Sequence, residues 1–469
     1  MFCQLEMLRH CFPPNLRQFL NELPETLDET YERILRSITK AQREDARRLL
    51  QCLAVAARPL RVEELAELLA FDFQATSDGG IPTLREDWRW NDGEQAVLST
   101  CSSLITIVRN CRFRVVQFSH FSVKEYLTSP RLAQSRGDVS RFHVDLNAAH
   151  TILAQACLGT LLRLDEKASN SGFKALPLVK YATRHWVEHA QFENVSSRVR
   201  DGMDDLFDNS KPHFAAWLRT HDMDERWGDF GRASRDTIGS PLYYAAFCGF
   251  YNLTERLITK YPEQVNAAGG LALYPLAAAL SKRHFRVADL LSKHGAVVDV
   301  RDRDGWTPLH VAGGCGSIDV MRWLLQRGAD VNAQMKSRWT PLHRAARNMN
   351  LEAVQVLLEY NPDTSLRDEI GDTPLHDVLS QIGLSTERNV AEIVRRLLEY
   401  GADPNIPRAN GSTPLHEASF LGSLEVTRLL LSHGASVDEQ DDEGWTPLEI
   451  ASSKELAKLL LEHGALSLP

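Results

Sequence analysis

The tetrapeptide Thr-Pro-Leu-His occurs four times in the second half of the chain, at Thr307–His310, Thr340–His343, Thr373–His376 and Thr413–His416. A variant, Thr446-Pro447-Leu448-Glu449, follows them. The prolines of the first three copies are 33 residues apart. A fixed period of this length indicates stacked structural units, each of which buries its apolar face only against its neighbours. The second half of the chain is therefore expected to work by presenting a surface.

Each position of the repeated phrase has a role in starting or ending a helix. The threonine is expected to be the N-cap, where its hydroxyl accepts a backbone N–H of the first turn. The proline follows at the first helical position, where its missing N–H costs nothing. Glycine in Gly328–Asp330 and Gly401–Asp403 is expected to end a second helix in a left-handed conformation. Two weaker copies, Ser240–Tyr243 and Leu273–Leu276, keep the spacing, so the array begins near Thr237 and holds about seven units.

The tetrapeptide and its period resemble the ankyrin repeat, and the resemblance implies a solenoid that binds a protein partner. Ankyrin proteins usually contact their partners with the hairpin tips and the ends of the inner helices. Aromatic and arginine side chains are frequent anchors of such interfaces. Carried onto this sequence, the pattern predicts contacts through Arg303, Asp304, Trp306, Lys336, Ser337, Trp339, Arg347, Asn348, Glu369, Asp372, Phe420 and Trp445, with Cys315, Ile370, Asn410, Ser412, Leu421, Asp442 and Glu443 beside them.

Some residues of the array have two interpretations. Trp306, Trp339 and Trp445 stand directly before the threonine of their units, where each ring could anchor a partner or pack on the neighbouring hairpin. The four histidines are one unit apart, roughly 10 Å, too far to share a metal with bonds near 2.0 Å, and are expected to be structural. The 40-residue spacing of the last two complete copies places an insertion at Gln381–Asn389, either a tolerated surface loop or a functional one.

The composition bounds the class of protein. The 469 residues carry a formal net charge of −9, and 43% of them are hydrophobic, which is ordinary for a globular chain. The negative charge disfavours nucleic-acid binding over the whole surface. Eight cysteines without a Cys-x-x-Cys pair favour reduced thiols in a cytoplasmic protein. No signal peptide is visible, and the uncharged stretch Gln264–Ser281 is interpreted as repeat helices and not as a membrane span.

The first half of the chain has no period and predicts helices around a small β-hairpin. Tyr31, Ile34 and Leu35 recur on one face of its first clear helix. Leu104–Val108 and Phe113–Phe118 are short and rich in strand-forming residues, which predicts two paired strands. Further helices are expected at Ala46–Ala57, Val62–Ala70 and Ser122–Leu127. The fold class is therefore mostly α: a helical, winged-helix N-terminal half with a small β-hairpin, followed by an ankyrin-repeat solenoid of about seven repeats.

Five phrases of the first half are similar to fungal NACHT–ankyrin proteins, in the segment that follows their NTPase module. They are CQLEMLRHC at 3–11, LPETLDETYERIL at 23–35, RPLRVEELAELLA at 58–70, VVQFSHFSVKEYLTS at 115–129 and KYATRHWVEHA at 180–190. That segment includes the winged-helix domain also named for GPI inositol-deacylase. The resemblance implies a relation to NOD-like receptors and to non-self recognition.

The chain departs from this family in one respect, because no Gly-x-x-x-x-Gly-Lys-Ser/Thr occurs in it. We therefore expect it neither to bind nor to hydrolyse ATP, and to be a relative that lacks the NTPase module or a fragment of a longer protein. The predicted division is a helical segment at 1–45, a winged-helix-like domain at 46–135, a helical linker domain at 136–235 and the ankyrin repeats at 237–469.

The sequence also offers a possible zinc hydrolase motif. His185-Trp186-Val187-Glu188-His189 matches His-x-x-Glu-His, in which both histidines share one face of a helix. A catalytic zinc needs a third ligand and an open position. Glu193, the nearest further carboxylate, continues the same helix and cannot easily close a tetrahedron. We therefore predict no metal site here.

A second alternative is a DNA-associated regulator, because winged helices often bind DNA. Arg109, Arg112 and Arg114 would form a basic wing on the hairpin. The helix Val62–Ala70 carries three glutamates, however, which would repel phosphate. The favoured prediction is a non-enzymatic, cytoplasmic interaction protein that binds a protein partner through its ankyrin surface, with no catalytic residue, cofactor, small-molecule substrate or membrane span.

Overall fold

The computed structural model describes residues 26–74, 80–101, 103–110, 113–135, 137–164, 176–220, 239–270 and 274–466. The chain divides into two compact units, one of residues 1–226 with 248–260 and one of residues 227–247 with 261–469. Arg112 and the first part of the predicted segment 1–45 lie outside the described residues. The four domain boundaries given above stay predictions.

The first unit opens with two helices, α1 (Leu27–Ser37) and α2 (Arg43–Val55). The hydroxyl of Thr26 caps α1 by accepting the backbone N–H of Glu29 at 3.2 Å. Tyr31, Ile34 and Leu35 are all buried, as their helical spacing predicts.

A small sheet follows, and three further helices pack around it. The predicted hairpin is confirmed, with Ile105 opposite Phe118 and Val108 opposite Val115. A third strand, Leu60–Arg61, is too short to detect in the sequence; it pairs with Phe113–Phe118, which in turn pairs with Ile105–Asn110, and all pairs are antiparallel. The elements in chain order are β1 (Leu60–Arg61), α3 (Val62–Leu69), β2 (Phe71–Asp72), β3 (Thr83–Leu84), a 3₁₀ turn (Glu86–Trp88), α4 (Gly93–Cys101), β4 (Ile105–Asn110), β5 (Phe113–Phe118) and α5 (Phe121–Leu127).

The rest of the first unit is helical and packs around buried aromatic rings. Trp186 lies edge-on to Trp217, with ring centres 5.3 Å apart, and stacks on Phe250 at 5.5 Å. The indole N–H of Trp217 donates to the carbonyl of Thr183 at 3.1 Å, so burying this ring leaves no polar group unpaired. The helices are α6 (Pro130–Ala133), α7 (Leu146–Leu161), α8 (Val179–Gln191), α9 (Val195–Arg198), α10 (Arg200–Leu206) and α11 (His213–Thr220), with a 3₁₀ turn at Asp138–Phe142; α12 (Pro241–Phe247) belongs to the second unit and α13 (Tyr251–Lys260) to the first.

The second unit is a stack of helical pairs. In each pair an inner helix begins at or beside the repeated proline, and an outer helix follows it after a short loop. The inner helices after α12 are α14 (Pro275–Ser281), α16 (Pro308–Cys315), α18 (Pro341–Arg347), α20 (Pro374–Leu379) and α22 (Pro414–Leu421). The outer helices are α15 (Phe285–Lys293), α17 (Ile318–Leu325), α19 (Leu351–Leu358), α21 (Glu387–Glu399), α23 (Leu424–Ser432) and α24 (Lys454–Glu462).

The leucine of each tetrapeptide forms the core between neighbouring inner helices. Leu309, Leu342, Leu375 and Leu415 are at most 1% exposed. Burying one such side chain contributes about 2 kcal/mol, and each unit does so only against the next. Residues 447–450 of the last unit form a turn in place of an inner helix, so the stack closes on α24. None of the described helices has the length and hydrophobicity that a membrane crossing requires.

Candidate partner-binding surface

The histidine of each tetrapeptide helps to fix the geometry of the surface. The backbone N–H of Thr340 donates to Nδ1 of His343 at 3.1 Å, and Nε2 of the same ring donates to the carbonyl of Asp372, in the next hairpin, at 3.1 Å. His310 and His416 make equivalent bonds to the hairpins that follow them. Because Nδ1 accepts, the proton lies on Nε2 and the ring is neutral. The histidines therefore join consecutive units.

Burial keeps the rings of His310, His343 and His376 neutral well below physiological pH. Loss of solvation lowers the pKa of His310 and His343 to about 4 and the pKa of His376 to about 3. His376 differs from the others because its Nε2 is buried without a hydrogen-bond partner. It belongs to the unit that carries the insertion, where the regular spacing of the units is interrupted.

The hairpin tips lie side by side and are linked through their backbones. The N–H of Lys336 donates to the carbonyl of Asp304 at 2.8 Å, and the N–H of Glu369 donates to that of Ser337 at 3.1 Å. These bonds bring four predicted contact residues into one row. Their side chains, and that of Arg303, are exposed except for Ser337, which is half-buried. The row is therefore available to a partner.

Two of the three predicted tryptophan anchors contact the array itself. Trp306 and Trp339 are half-buried, and the guanidinium of Arg344 lies over both rings. The indole N–H of Trp339 also donates to Asp368 at 2.9 Å. Trp445, in contrast, is 49% exposed. Packing against the array is thus observed for Trp306 and Trp339, and anchoring of a partner by Trp445 stays a prediction.

The prediction of Asp372 as an exposed contact residue is wrong. Its side chain is buried, and its two oxygens accept Nε of Arg408 at 2.6 Å and Nη2 of Arg408 at 2.8 Å. A bidentate pair of this kind fixes the following hairpin to the Asp372 hairpin. The sequence showed an acidic residue in a hairpin but did not show the arginine 36 residues later that neutralises it.

Two further carboxyl groups lie near this pair, on the inner helices α20 and α22. Asp377 is 1% exposed; one of its oxygens is 3.6 Å from Arg347, and the other has no hydrogen-bond partner. Glu417 contacts Arg408 at 3.0 Å and also keeps one unpartnered oxygen. Burial raises the pKa of Asp377 to about 8 and that of Glu417 to about 7. Asp377 is therefore protonated at neutral pH.

Sequence reasoning missed Arg344, Asp377 and Glu417, although one signal points to them. They occupy the same position, directly after the histidine of the tetrapeptide, where the preceding unit has Val311. When the units are aligned, the residue at this position changes from apolar to basic to acidic along the array. A position that varies between otherwise regular units is a candidate for recognition, because the packing of the units does not fix its identity.

The remaining predicted residues lie at the ends of the inner helices. Arg347 is exposed and donates to the hydroxyl of Ser380 at 2.8 Å, while the amide of Asn348 donates to the carbonyl of Gly314 at 2.9 Å. Phe420 is 67% exposed. The array also exposes large apolar side chains at Ile370, Leu384 and Leu421. Apolar groups surrounded by polar ones are typical of a protein-binding surface.

The zinc motif does not form a metal site. His189 is buried, and its ring nitrogens contact Nδ1 of His150 at 2.9 Å and the hydroxyl of Tyr181 at 2.7 Å. Both nitrogens are thus occupied, and burial lowers the pKa of His189 to about 3. Nδ1 of His185 lies 3.4 Å from Glu188, and its ring packs against that of Tyr181 with ring centres 4.9 Å apart. In the described ranges no cluster of histidine, cysteine and carboxylate side chains could hold a metal.

The winged helix corrects a second expectation, the exposed glutamates of α3. Glu64 and Glu67 are buried and paired with Arg58 and Arg89, each at 2.6 Å. They therefore do not present negative charge to a nucleic acid. Arg114 of the predicted basic wing binds Glu94 and lies 3.2 Å from Glu63, so acidic partners already neutralise it.

Comparison with known families agrees with both halves of this architecture. The models of ankyrin repeats match residues 242–335 and 382–467 as three copies, and 324–376 as many copies. The model of the GPI inositol-deacylase winged helix domain matches residues 31–139. The chain is therefore a protein with a winged helix domain of the GPI inositol-deacylase type and ankyrin repeats.

Similar proteins come from fungi and mammals. Azaphilone pigments biosynthesis cluster protein L of Monascus ruber is 32% identical over 302 residues, which cover 60% of this chain and 61% of that protein. Protein phosphatase 1 regulatory subunit 27 of Homo sapiens is 42% identical over 52 residues, or 10% of this chain and 34% of that one. The crystal structure of the ankyrin repeat domain of Bcl-3, a member of the IkappaB family, has a TM-score of 0.43 and 29% identity, and the match covers 48% of this chain and 98% of that one.

Proposed function

We propose that this protein is a non-enzymatic adaptor whose ankyrin surface recognises a protein partner. The observation that carries the proposal is the row of exposed hairpin tips together with the exposed Phe420 and Trp445. The backbone bonds between tips and the histidine bridges hold these side chains in place before contact. Less ordering entropy therefore opposes association. In this proposal the winged helix and the helices after it serve as a stem.

The proposed setting is the cytoplasm of a fungal cell, in signalling of the NOD-like receptor type. The presence of both ankyrin repeats and a winged helix domain of the GPI inositol-deacylase type supports it, because the resemblance of the sequence to fungal NACHT–ankyrin proteins implies that combination. The relative from Monascus ruber shows that a fungal protein shares much of this sequence. In that setting the chain contributes binding and not catalysis.

Site-specific photocrosslinking in the full chain tests the proposal. A photoreactive phenylalanine analogue replaces Phe420 in one variant and Arg428, exposed on the outer helix α23, in a matched control. We expect a discrete crosslinked protein from the Phe420 position and little from the control. Equal products from both positions, or none from either, would refute an inner-face recognition surface.

The identity of the crosslinked protein tests the setting separately. Mass spectrometry that finds a partner with a P-loop NTPase module would support NOD-like receptor signalling. A reproducible partner of an unrelated class would remove that setting while leaving the adaptor function in place.

A further inference from the structure

The array holds one guanidinium between two indole rings. Arg344, which directly follows the histidine of its tetrapeptide on α18, has its guanidinium carbon 4.7 Å from the ring centre of Trp306 and 5.9 Å from that of Trp339. Cation–π contact with an indole face stabilises the charge and limits the orientation of the planar group. The array thus presents a preorganised cation on an inner helix.

This cation has no acceptor among the residues that the structure describes. Nε of Arg344 is buried and makes no hydrogen bond, and in the part of the chain that the structure describes its terminal nitrogens have neither a hydrogen-bonded oxygen nor an ion pair. Neighbouring arginines differ, because Arg347 donates to Ser380 and Arg408 binds Asp372. An unpaired and partly buried guanidinium is costly. An incoming acceptor would remove that cost.

The nearest acidic group does not neutralise Arg344. Asp377 affects the charge of Arg344 but forms no ion pair with it, and burial raises the pKa of Asp377 to about 8. At neutral pH that carboxyl carries a proton. Arg344 therefore keeps its full positive charge on the inner face.

The surroundings leave one edge of the guanidinium free. A Cβ atom added at Gly314 would lie 3.1 Å from Nη2 and 3.3 Å from Nε of Arg344, so the Nε–Nη2 edge lies against the backbone of Gly314. The terminal edge, Nη1 with Nη2, is left for an acceptor. The same added Cβ would be 3.3 Å from Nδ2 of Asn348, which places a second N–H donor beside the guanidinium. Trp306, Trp339 and Asn348, three residues predicted as contacts from the sequence, thus meet around Arg344.

We propose that Arg344 is the specificity-determining residue of the ankyrin surface, where it binds a carboxylate side chain of an acidic segment of the protein partner. The inference rests on the proposed adaptor function and names the chemistry of the partner. The planar fork of a guanidinium matches a carboxylate with two parallel hydrogen bonds. The indoles hold that fork in place, and Asn348 supplies a further donor.

A carboxylate fits this place better than a phosphate. Arg344 offers one positive charge, which one carboxylate neutralises, whereas a phosphate monoester carries nearly two negative charges at neutral pH. The next two inner helices present Asp377 and Glu417 at the equivalent position, and Glu417 has a pKa of about 7. A dianion would be left with one negative charge that Arg344 does not neutralise, on the inner face that also carries the partly ionised Glu417.

The test uses the full chain and a fluorescein-labelled peptide, Gly-Glu-Glu-Leu-Glu-Glu-Gly, in a fluorescence anisotropy titration. We compare the wild type with R344Q, R344K and the control R428Q, which removes one positive charge from the outer helix α23. The R344Q variant is expected to bind about ten-fold more weakly, because the charged fork is lost. The R344K variant should recover only part of that loss, since an ammonium lacks the planar fork. The control should stay within about two-fold of the wild type.

A spectroscopic signal shows where the peptide binds. Peptide binding should shift the tryptophan fluorescence of the wild type, because two indoles flank the guanidinium, and the shift should disappear in R344Q. Circular dichroism of R344Q should match the wild type, which excludes unfolding as the cause of weaker binding. A peptide with glutamine in place of glutamate should not bind.

Four results would overturn the inference. They are equal weakening in R344Q and R428Q, equal binding by R344K and the wild type, no binding of the glutamate peptide, and tighter Arg344-dependent binding of a phosphoserine peptide. The first would show that only net charge matters, and the last would make the site a phosphate reader. If the crosslink at Phe420 still captures a partner while the acidic peptide fails, this inference is wrong and the adaptor function stands. If both fail, the adaptor function fails too.

Discussion

Glu64 in the winged helix and Asp377 in the array are both 1% exposed, but they differ in how completely their carboxylate oxygens are hydrogen-bonded. Glu64 accepts Nη1 and Nη2 of Arg58 at 2.8 and 2.6 Å and the backbone N–H of Arg61 at 2.9 Å. Asp377 has a single arginine at 3.6 Å and one unpartnered oxygen. The partners of Glu64, Arg58 and Arg61, are only 6 and 3 residues away in the sequence. The arginine near Asp377, Arg347, belongs to the preceding unit. At these two positions the local partners pair the buried carboxylate fully, and the arginine of the preceding unit does so only in part.

The largest expected effect tests the local pair. Replacing Glu64 with alanine leaves the Arg58 guanidinium without its carboxylate, so we expect the winged helix to lose about 3 kcal/mol of unfolding free energy. Hydrogen exchange followed by mass spectrometry reports each region separately. Protection should fall in peptides from residues 43–72 and stay unchanged in the array. The matched control is Glu63→Ala, which removes an exposed partner of Arg114 and should cost less than about 0.5 kcal/mol.

Removing a histidine bridge in the array should have the next largest effect on the unfolding free energy. The His343→Ala variant leaves the Thr340 N–H and the Asp372 carbonyl without their partner and opens a cavity. We expect a loss of about 2 kcal/mol, spread over the units on both sides. Hydrogen exchange should show reduced protection at residues 308–379. The control His433→Ala alters an exposed ring at the end of an outer helix; if it destabilised the array equally, the bridge would have no special role.

The pH dependence of the array should be set by its own buried carboxyls and histidines. Unfolded Asp377 and Glu417 titrate near 3.8 and 4.5, but in the folded array their pKa values are about 8 and about 7. The folded state therefore holds more protons across this window, and stability falls as the pH rises through it. His310 and His343 act in the opposite sense, because below pH 6.5 the unfolded chain takes up protons that the folded array refuses. The two contributions oppose each other below about pH 6.5, and above it the loss through the two carboxyls remains, so stability should fall as the pH rises from about 6.5 to 8.5.

The double variant Asp377→Asn with Glu417→Gln measures the acidic contribution. Urea unfolding followed by tryptophan fluorescence should show the wild type losing stability between pH 6.5 and 8.5, while the double variant stays level. Asp442→Asn, at an exposed hairpin tip, is the control and should follow the wild type. A wild type that is equally stable at both pH values would show that these carboxyls are ionised in the folded array.

The smallest expected effect on stability belongs to the proposed binding surface. Phe420→Ala removes a side chain that is 67% exposed, so the unfolding free energy should change by less than about 0.5 kcal/mol. Partner binding, in contrast, should be strongly weakened, because the proposed contact side chain is lost. A strong destabilisation, measured by urea unfolding, would show that Phe420 packs within the array.

The fold follows from the sequence where one short phrase determines one local structure. Thr-Pro-Leu-His fixes a helix start, and the alternation in Phe113–Phe118 fixes a strand. The strand Leu60–Arg61 could not be predicted, because two residues are too few to show the alternation of apolar and polar side chains that marks a strand. Burial of Asp372 escaped because it depends on Arg408, from a different unit. The role of Arg344 could not be predicted for the same reason, because the two indole rings that contact its guanidinium belong to two different hairpins.

The histidine bridges give the array a direction. The rings of His310, His343 and His416 donate forward, from their own units to the hairpin of the unit that follows, whereas that of His376 does not. If the terminal unit frays, the carbonyl of its hairpin can hydrogen-bond to water. The imidazole of the preceding unit stays buried, and its N–H is left without an acceptor. Damage at the C-terminal end is therefore transmitted backwards to the unit of His416, and the missing bridge at His376 limits its spread to earlier units.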